Sequence, residues 1–207
     1  MSTSGIVVEE YRGVDNLFVV EITKDDNAEG GGYVPGEPFQ LAGVAEVSKS
    51  TKSDSNTSWY DNVAAIIVNA SGSDEVKVKT SVPSLETTAK ILGLTYDATL
   101  NMLVDGERSN KYFAMGYRTK TTSGAYRYVW RLKGQFAVPD ETNATENDGT
   151  DTNNLELTYT GISTTHKFVK AGTTPAPARG VVVGAAKADV SPWFTSVQTP
   201  DTVKAKT

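Results

Sequence analysis

The chain contains no cysteine, which excludes disulfides, cysteine-held zinc and thiol catalysis. It has one histidine, His166. A Ser-His-Asp triad would have to be built on that residue. Set among Thr164, Thr165 and Lys167, it reads instead as a surface or strand side chain, and a zinc site would fall almost wholly to carboxylates. No apolar run approaches the roughly 20 residues that span a bilayer, so no membrane is expected as a partner. The opening Met1-Ser-Thr-Ser-Gly5 has neither a basic n-region nor an apolar h-region, and the expectation is a chain without a signal peptide, made in a cytoplasm. Positive charge is also scarce. Twenty Lys and Arg against 25 Asp and Glu leave a net charge of −5 and a pI near 5.0. Tight sequence-independent nucleic-acid binding needs a basic surface that releases counterions, and the chain offers none globally. A mildly acidic balance suits a surface past which DNA moves without sticking.

What is present is mostly strand signal in a chain of 207 residues, long enough for one domain with arms and a core of its own. Leu17-Phe-Val-Val-Glu-Ile22 is rich in β-branched residues and predicts a buried strand. Residues 39–47 alternate and predict another. Val76, Val78, Thr80 and Val82 alternate with Lys77, Lys79 and Ser81, giving one apolar and one wet face at period two. The clearest pattern covers two strands, 111–119 and 125–138, separated by turn residues ending in Gly124, and predicts a long antiparallel hairpin. On its second strand Tyr126, Tyr128, Trp130, Leu132, Phe136 and Val138 share a face and form the candidate core. Arg127, Arg131, Lys133 and Gln135 take the other face. A last strand, 155–159, follows a polar loop. One short helix is expected after Pro83: Ser84 is an N-cap, Leu85, Ala89 and Leu92 form a stripe beside Thr88, and Gly93 is a C′ residue. Two turns of helix persist only when docked, so this one is expected to plug an end or cover an edge of the sheet. The expected fold class is therefore mainly β, sandwich- or barrel-like, with one short α-helix at its flank and long polar loops.

Three stretches read as long polar loops: 24–36, 48–58 and 140–154. Gly172-Thr-Thr-Pro-Ala-Pro177 reads as a semi-extended linker. The expected division is a β-domain over residues 1–170, followed by a linker and C-terminal arm over 171–207. No chemistry stands out. Glu9 and Glu10 are adjacent, so on a strand they point to opposite faces and make a poor carboxylate dyad. Glu146, Asp148 and Asp151 resemble a calcium loop only loosely, lacking the spaced ligand series. Gly30-Gly31-Gly32 is not framed by a strand and a helix as a phosphate loop is. No catalytic residue, metal site or cofactor is expected.

Four stretches together resemble the major tail proteins of siphophages that infect Gram-positive bacteria. They are Leu41-Ala-Gly-Val-Ala-Glu-Val-Ser48 with Trp59-Tyr-Asp-Asn62; the helix and its exit, Lys90-Ile-Leu-Gly-Leu-Thr-Tyr-Asp97; Tyr112-Phe-Ala-Met-Gly-Tyr-Arg118 running into Tyr126-Arg-Tyr-Val-Trp-Arg-Leu-Lys-Gly-Gln-Phe136 and Pro139; and Trp193-Phe194. The third is the most specific. The resemblance covers most of residues 10–170. It implies a tail-tube fold, a β-sandwich flanked by a helix, whose copies form six-membered rings stacked into a hollow tube that conducts DNA. The implied location is the virion tail, with assembly in the host cytoplasm. The implied partners are other copies of the chain, a tape-measure protein, and the tail terminator and tail-tip proteins.

A tube of this kind turns unpaired strand edges, a liability in a monomer, into inter-subunit contacts. The hairpin strands 111–119 and 125–138 are candidates for the inner wall. Arg127, Arg131 and Lys133 would then need acidic neighbours such as Glu156 to keep the lumen from holding DNA. Candidate inter-subunit residues are Asp25, Gly31 and Tyr33 in one loop, Trp59 and Tyr60 at the end of another, and Trp193 and Phe194 in the tail. Against this stand two other readings. One is a monomeric immunoglobulin-like or carbohydrate-binding surface domain, which stays monomeric and carries a ligand patch. The other is an enzyme with a carboxylate pair in a cleft.

Overall fold

The computed structural model describes residues 9–27, 32–60, 63–140 and 155–207, with 53–60 and 63–71 described by their backbone. The strands are β1 (Tyr11–Asp25), β2 (Tyr33–Pro35), β3 (Phe39–Gln40), β4 (Val44–Tyr60) and β5 (Val63–Thr80). The helix α1 (Leu85–Leu92) precedes the small hairpin β6 (Thr95–Asp97) and β7 (Met102–Val104). Then come β8 (Tyr112–Thr121), β9 (Tyr126–Phe136), β10 (Leu155–Gly161), β11 (Lys167–Phe168), β12 (Ala176–Pro177) and β13 (Gly180–Gly184). The fold is mainly β, with one α-helix among the described residues and a large antiparallel sheet.

The main sheet runs β2-β1-β8-β9-β10-β5-β4, with β3 also on β1 and β13 also on β9. It curls into a barrel-like form because its two ends share one stretch of chain. Phe39 and Gln40 pair with β1, and the Leu41 amide donates to the Leu17 carbonyl at 3.0 Å. Two residues later Gly43 accepts from the Ser81 amide at 2.8 Å, and Val44 pairs with Thr80 on β5. The strand expected over 39–47 is thus two strands joined by a switch, which carries the chain from one end of the sheet to the other.

Alternation along β1, β8 and β9 puts apolar side chains on both sheet faces, and each face has a core. Inside the barrel lie Leu17, Val19, Met115, Tyr117, Val129 and Tyr159, together with Val76, Val78 and Leu157. On the outer face lie Val20, Ala114, Tyr128, Trp130 and Leu132, covered by Phe168, Trp193 and Val197. Gly116 lies directly over the Trp130 ring, where a Cβ would come within 2.8 Å of it.

The hairpin β8–β9 forms as expected, but its apolar residues do not share one face. Phe113 pairs with Gly134 and Met115 with Arg131, so three steps of β9 oppose two of β8. This bulge flips the alternation. Tyr128, Trp130 and Leu132 face outward, whereas Phe136 turns into the barrel against Phe113 and Tyr159. Tyr126 is half-buried under the Arg118 guanidinium, 4.5 Å from its ring centre. Val138 is exposed beyond the end of the strand, and Val82 lies exposed beyond β5.

Helix α1 is capped as its sequence indicates. Ser84 Oγ accepts from the Thr87 amide at 3.2 Å, and Gly93 closes the helix at φ 68°. Its buried stripe is Ala89, Ile91 and Leu92; Leu85 is exposed. Ile91 and Leu92 enter the barrel core, so the helix plugs one end of the barrel.

Candidate functional site

A polar segment expected to be a loop lies instead in the longest ladder among the described residues. Residues 48–58 lie within β4, which pairs with β5 from Val44↔Thr80 to Tyr60↔Val63. β10 covers the far side of β5 only from Asp74 to Thr80. Beyond that point residues 53–60 and 63–71 pair with each other and, among the described residues, with nothing else. The result is a two-stranded ribbon about 25 Å long, given 3.4 Å per residue. Trp59 pairs with Ala64 and Tyr60 with Val63 at its tip. The outer edge of β4 has no partner strand among the described residues along its whole length.

The other candidate contacts are placed differently. Trp193 is fully buried in the chain's own outer core, where its carbonyl accepts from Trp130 Nε1 at 2.9 Å and its ring meets Tyr128 edge-on. Phe194 is partly buried and stacks on Phe18. Segment 171–207 is therefore not a separate arm: β13 pairs with β9 from Gly180↔Arg131 to Gly184↔Arg127, and the segment beyond it roofs the sheet. Tyr33 is half-buried, its hydroxyl donating to the Leu132 carbonyl at 2.5 Å, and burial pushes the phenol up so that it remains a neutral donor. Gly31 lies outside the described residues, as do Glu146, Asp148 and Asp151.

Asp25 is engaged within the chain as an internal clip. Its carboxylate takes the Lys133 ammonium at 2.6 Å and the Thr165 and His166 amides at 2.8 Å each. Both residues are part-buried, with side chains 5% and 12% exposed for Asp25 and Lys133. Burial pushes the Asp25 carboxyl up, but the Lys133 hydrogen bond and the two amides together outweigh it, and the group sits below the ordinary carboxylate range. A depressed folded pKa contributes stability that is complete above the unfolded value and disappears as pH falls through the folded one. Asp25→Asn is therefore expected to lower stability at neutral pH by about 1.5–3 kcal/mol, the worth of hydrogen bonds to a charged group. The gap from the parent should close in urea titrations run below about pH 3.8, near the ordinary aspartate value.

The cations of β9 also find partners, though not the expected ones. Arg127 donates to the Tyr11 hydroxyl at 2.9 Å, Lys133 to Asp25, and Arg131 approaches Asp74 at 3.6 Å. Glu156 pairs instead with Lys77 at 3.0 Å. β8 and β9 carry packed apolar side chains on both faces, which does not match the free polar face expected of an inner wall. The uncovered face belongs to β4, β5 and β10. It carries Glu46–Lys79 at 2.8 Å, Glu156–Lys77, and Lys52–Glu75 at 3.9 Å.

Asp74 sits where the sheet splits. β9 pairs with β10 at 134–136 and with β13 at 127–131, and the gap between them is filled by this buried carboxylate. It receives Lys49 at 3.3 Å, Arg179 at 3.0 Å, Arg131 at 3.6 Å and the Thr51 hydroxyl at 2.9 Å.

No protein-family model matches this chain, and no curated protein is significantly similar to it. Among the described residues no group of acidic or histidine side chains is arranged to hold a metal ion. No described helix is long and apolar enough to cross a membrane. The Asp74 cluster had no sequence signal, because Lys49, Asp74, Arg131 and Arg179 are far apart along the chain and share no motif.

Proposed function

We propose that this chain is a structural, self-assembling subunit of a hollow tube, the tail tube of a long-tailed bacteriophage. The observation that carries the reading is the β4–β5 ribbon. A two-stranded ribbon standing alone in water is marginal, and one strand of this one reads Val63-Ala-Ala-Ile-Ile-Val68. Such a segment gains stability by lying on another copy, and the open edge of β4 supplies unpaired backbone groups for the same purpose. Copies related head to tail around an axis close into a ring.

In this reading the β4–β5–β10 face lines the lumen. Among the described residues on it, the carboxylates of Glu46, Glu75 and Glu156 pair with the ammonium groups of Lys79, Lys52 and Lys77. A wall with no net charge releases no counterions to DNA and lets it slide. The ring number, the tape-measure protein, and the terminator and tip proteins follow from the resemblance to siphophage tail proteins and are part of the proposal.

The test is negative-stain imaging of purified protein at rising concentration, with light scattering in parallel. Rings or tubes of uniform diameter are expected. Particles that stay single and compact at every concentration would sink the reading.

A further inference from the structure

Beside the split in the sheet, and independent of any assembly, lies a cavity of about 600 Å³. Its lining includes Lys49, Arg131, Lys170 and Arg179, with Asp74 as the single carboxylate among the described lining residues. Leaving Arg179 aside, Lys49, Arg131 and Lys170 set three positive charges against one negative in a recess open to solvent. Asp201 is nearby, but its carboxylate is engaged by the Val169 and Lys170 amides at 3.0 and 2.8 Å. Arg131 is under-served: its side chain is only 14% exposed, its contact to Asp74 at 3.6 Å is longer than a hydrogen bond, and its buried Nε has no hydrogen-bond partner among the described residues. The apolar part of the lining is Pro177, Val181, Val183, Pro200 and Val203.

Cations converging on one recess repel one another unless an anion joins them. Asp74 supplies one negative charge that Lys49 and Arg131 must share. Guanidinium groups present flat pairs of donors that match the oxygens of a phosphoryl group, and a dianion answers the charge excess better than a carboxylate does. We propose that this cavity binds a phosphate-class oxyanion, held by Lys49, Arg131 and Arg179, with Lys170 at the rim. The apolar side of the lining has room for the organic part of a small phosphomonoester.

Thermal unfolding and calorimetric titration of the full chain would test this, with inorganic phosphate and ribose 5-phosphate as probes and sodium chloride matched for ionic strength. A saturable rise in Tm with either probe, absent with chloride, is expected. Tighter binding of the ester would assign the site to phosphomonoesters, and equal binding to free phosphate. Lys170→Gln leaves Asp74's partners in place, and Arg179→Gln removes a direct donor. Each is expected to weaken binding about tenfold, as loss of a charge-assisted hydrogen bond does. No saturable shift with either probe, or an undiminished shift in the double variant, would overturn the proposal.

Discussion

Trp193→Ala is expected to cost the isolated subunit about 3–5 kcal/mol, the usual range for removing a buried tryptophan. For a chain of this size that corresponds to a fall in Tm of roughly 6–20 °C. The reasoning is local. Trp193 has no exposed surface, its ring packs on Tyr128, and its backbone carbonyl is the acceptor for the Trp130 indole. Truncating it opens a void over the outer face of β1, β8 and β9, whose Val20, Tyr128, Trp130 and Leu132 are roofed by the C-terminal segment together with Phe168 and Tyr33. Deleting residues 172–207 altogether should expose that face and leave no cooperative unfolding transition. The measurement is urea unfolding at low protein concentration, where assembly does not contribute. A tryptophan serving only as a contact for another subunit would leave the monomer's midpoint unchanged, and that outcome would contradict the packing described here.

Local patterns predicted the hairpin β8–β9 and helix α1 well, because each is written in short-range terms: period-two alternation with a glycine turn, and a Ser84 cap with Gly93 at the close. The bulge at Leu132–Lys133 left no trace, since alternation continues through it in the sequence and only the register with β8 reveals the extra residue. The ribbon was missed for a related reason. Residues 48–58 are serine, threonine, lysine, aspartate and asparagine, the composition of a loop, and what makes them a strand is a partner beginning at Val63. Strand propensity depends on the neighbour across the ladder more than on the residue itself. In the C-terminal segment the prolines near 175 suggested a linker, yet Val181-Val-Val183 between glycines was a strand signal available to be read. The Asp74 cluster was not legible at all, because it is assembled from three strands and a loop.

Replacing residues 53–71 with Asn-Gly is expected to abolish tubes while leaving the subunit folded. The excision point is chosen from the ladder. Thr51 pairs with Asp74, so the cut keeps the Asp74 cluster and the Arg179 contact to the Gly72 carbonyl intact. Asn-Gly supplies the two-residue turn that a tight hairpin prefers. Among the described residues the removed strands pair only with each other, so the β10–β5 register from Leu155↔Thr80 to Gly161↔Asp74 survives unchanged. The shortened protein should therefore unfold within a few degrees of the parent, a shift worth about 1 kcal/mol or less. Its assembly should fail completely, because a ring needs every interface and each copy would lack the same one. Imaging and light scattering of the two proteins side by side read both quantities. Tubes persisting after the excision would place the inter-subunit contact elsewhere. A shortened chain that no longer folds would show that the ribbon belongs to the monomer's own stability. Stability retained with assembly lost is the outcome that only an arm completed by a neighbouring copy produces.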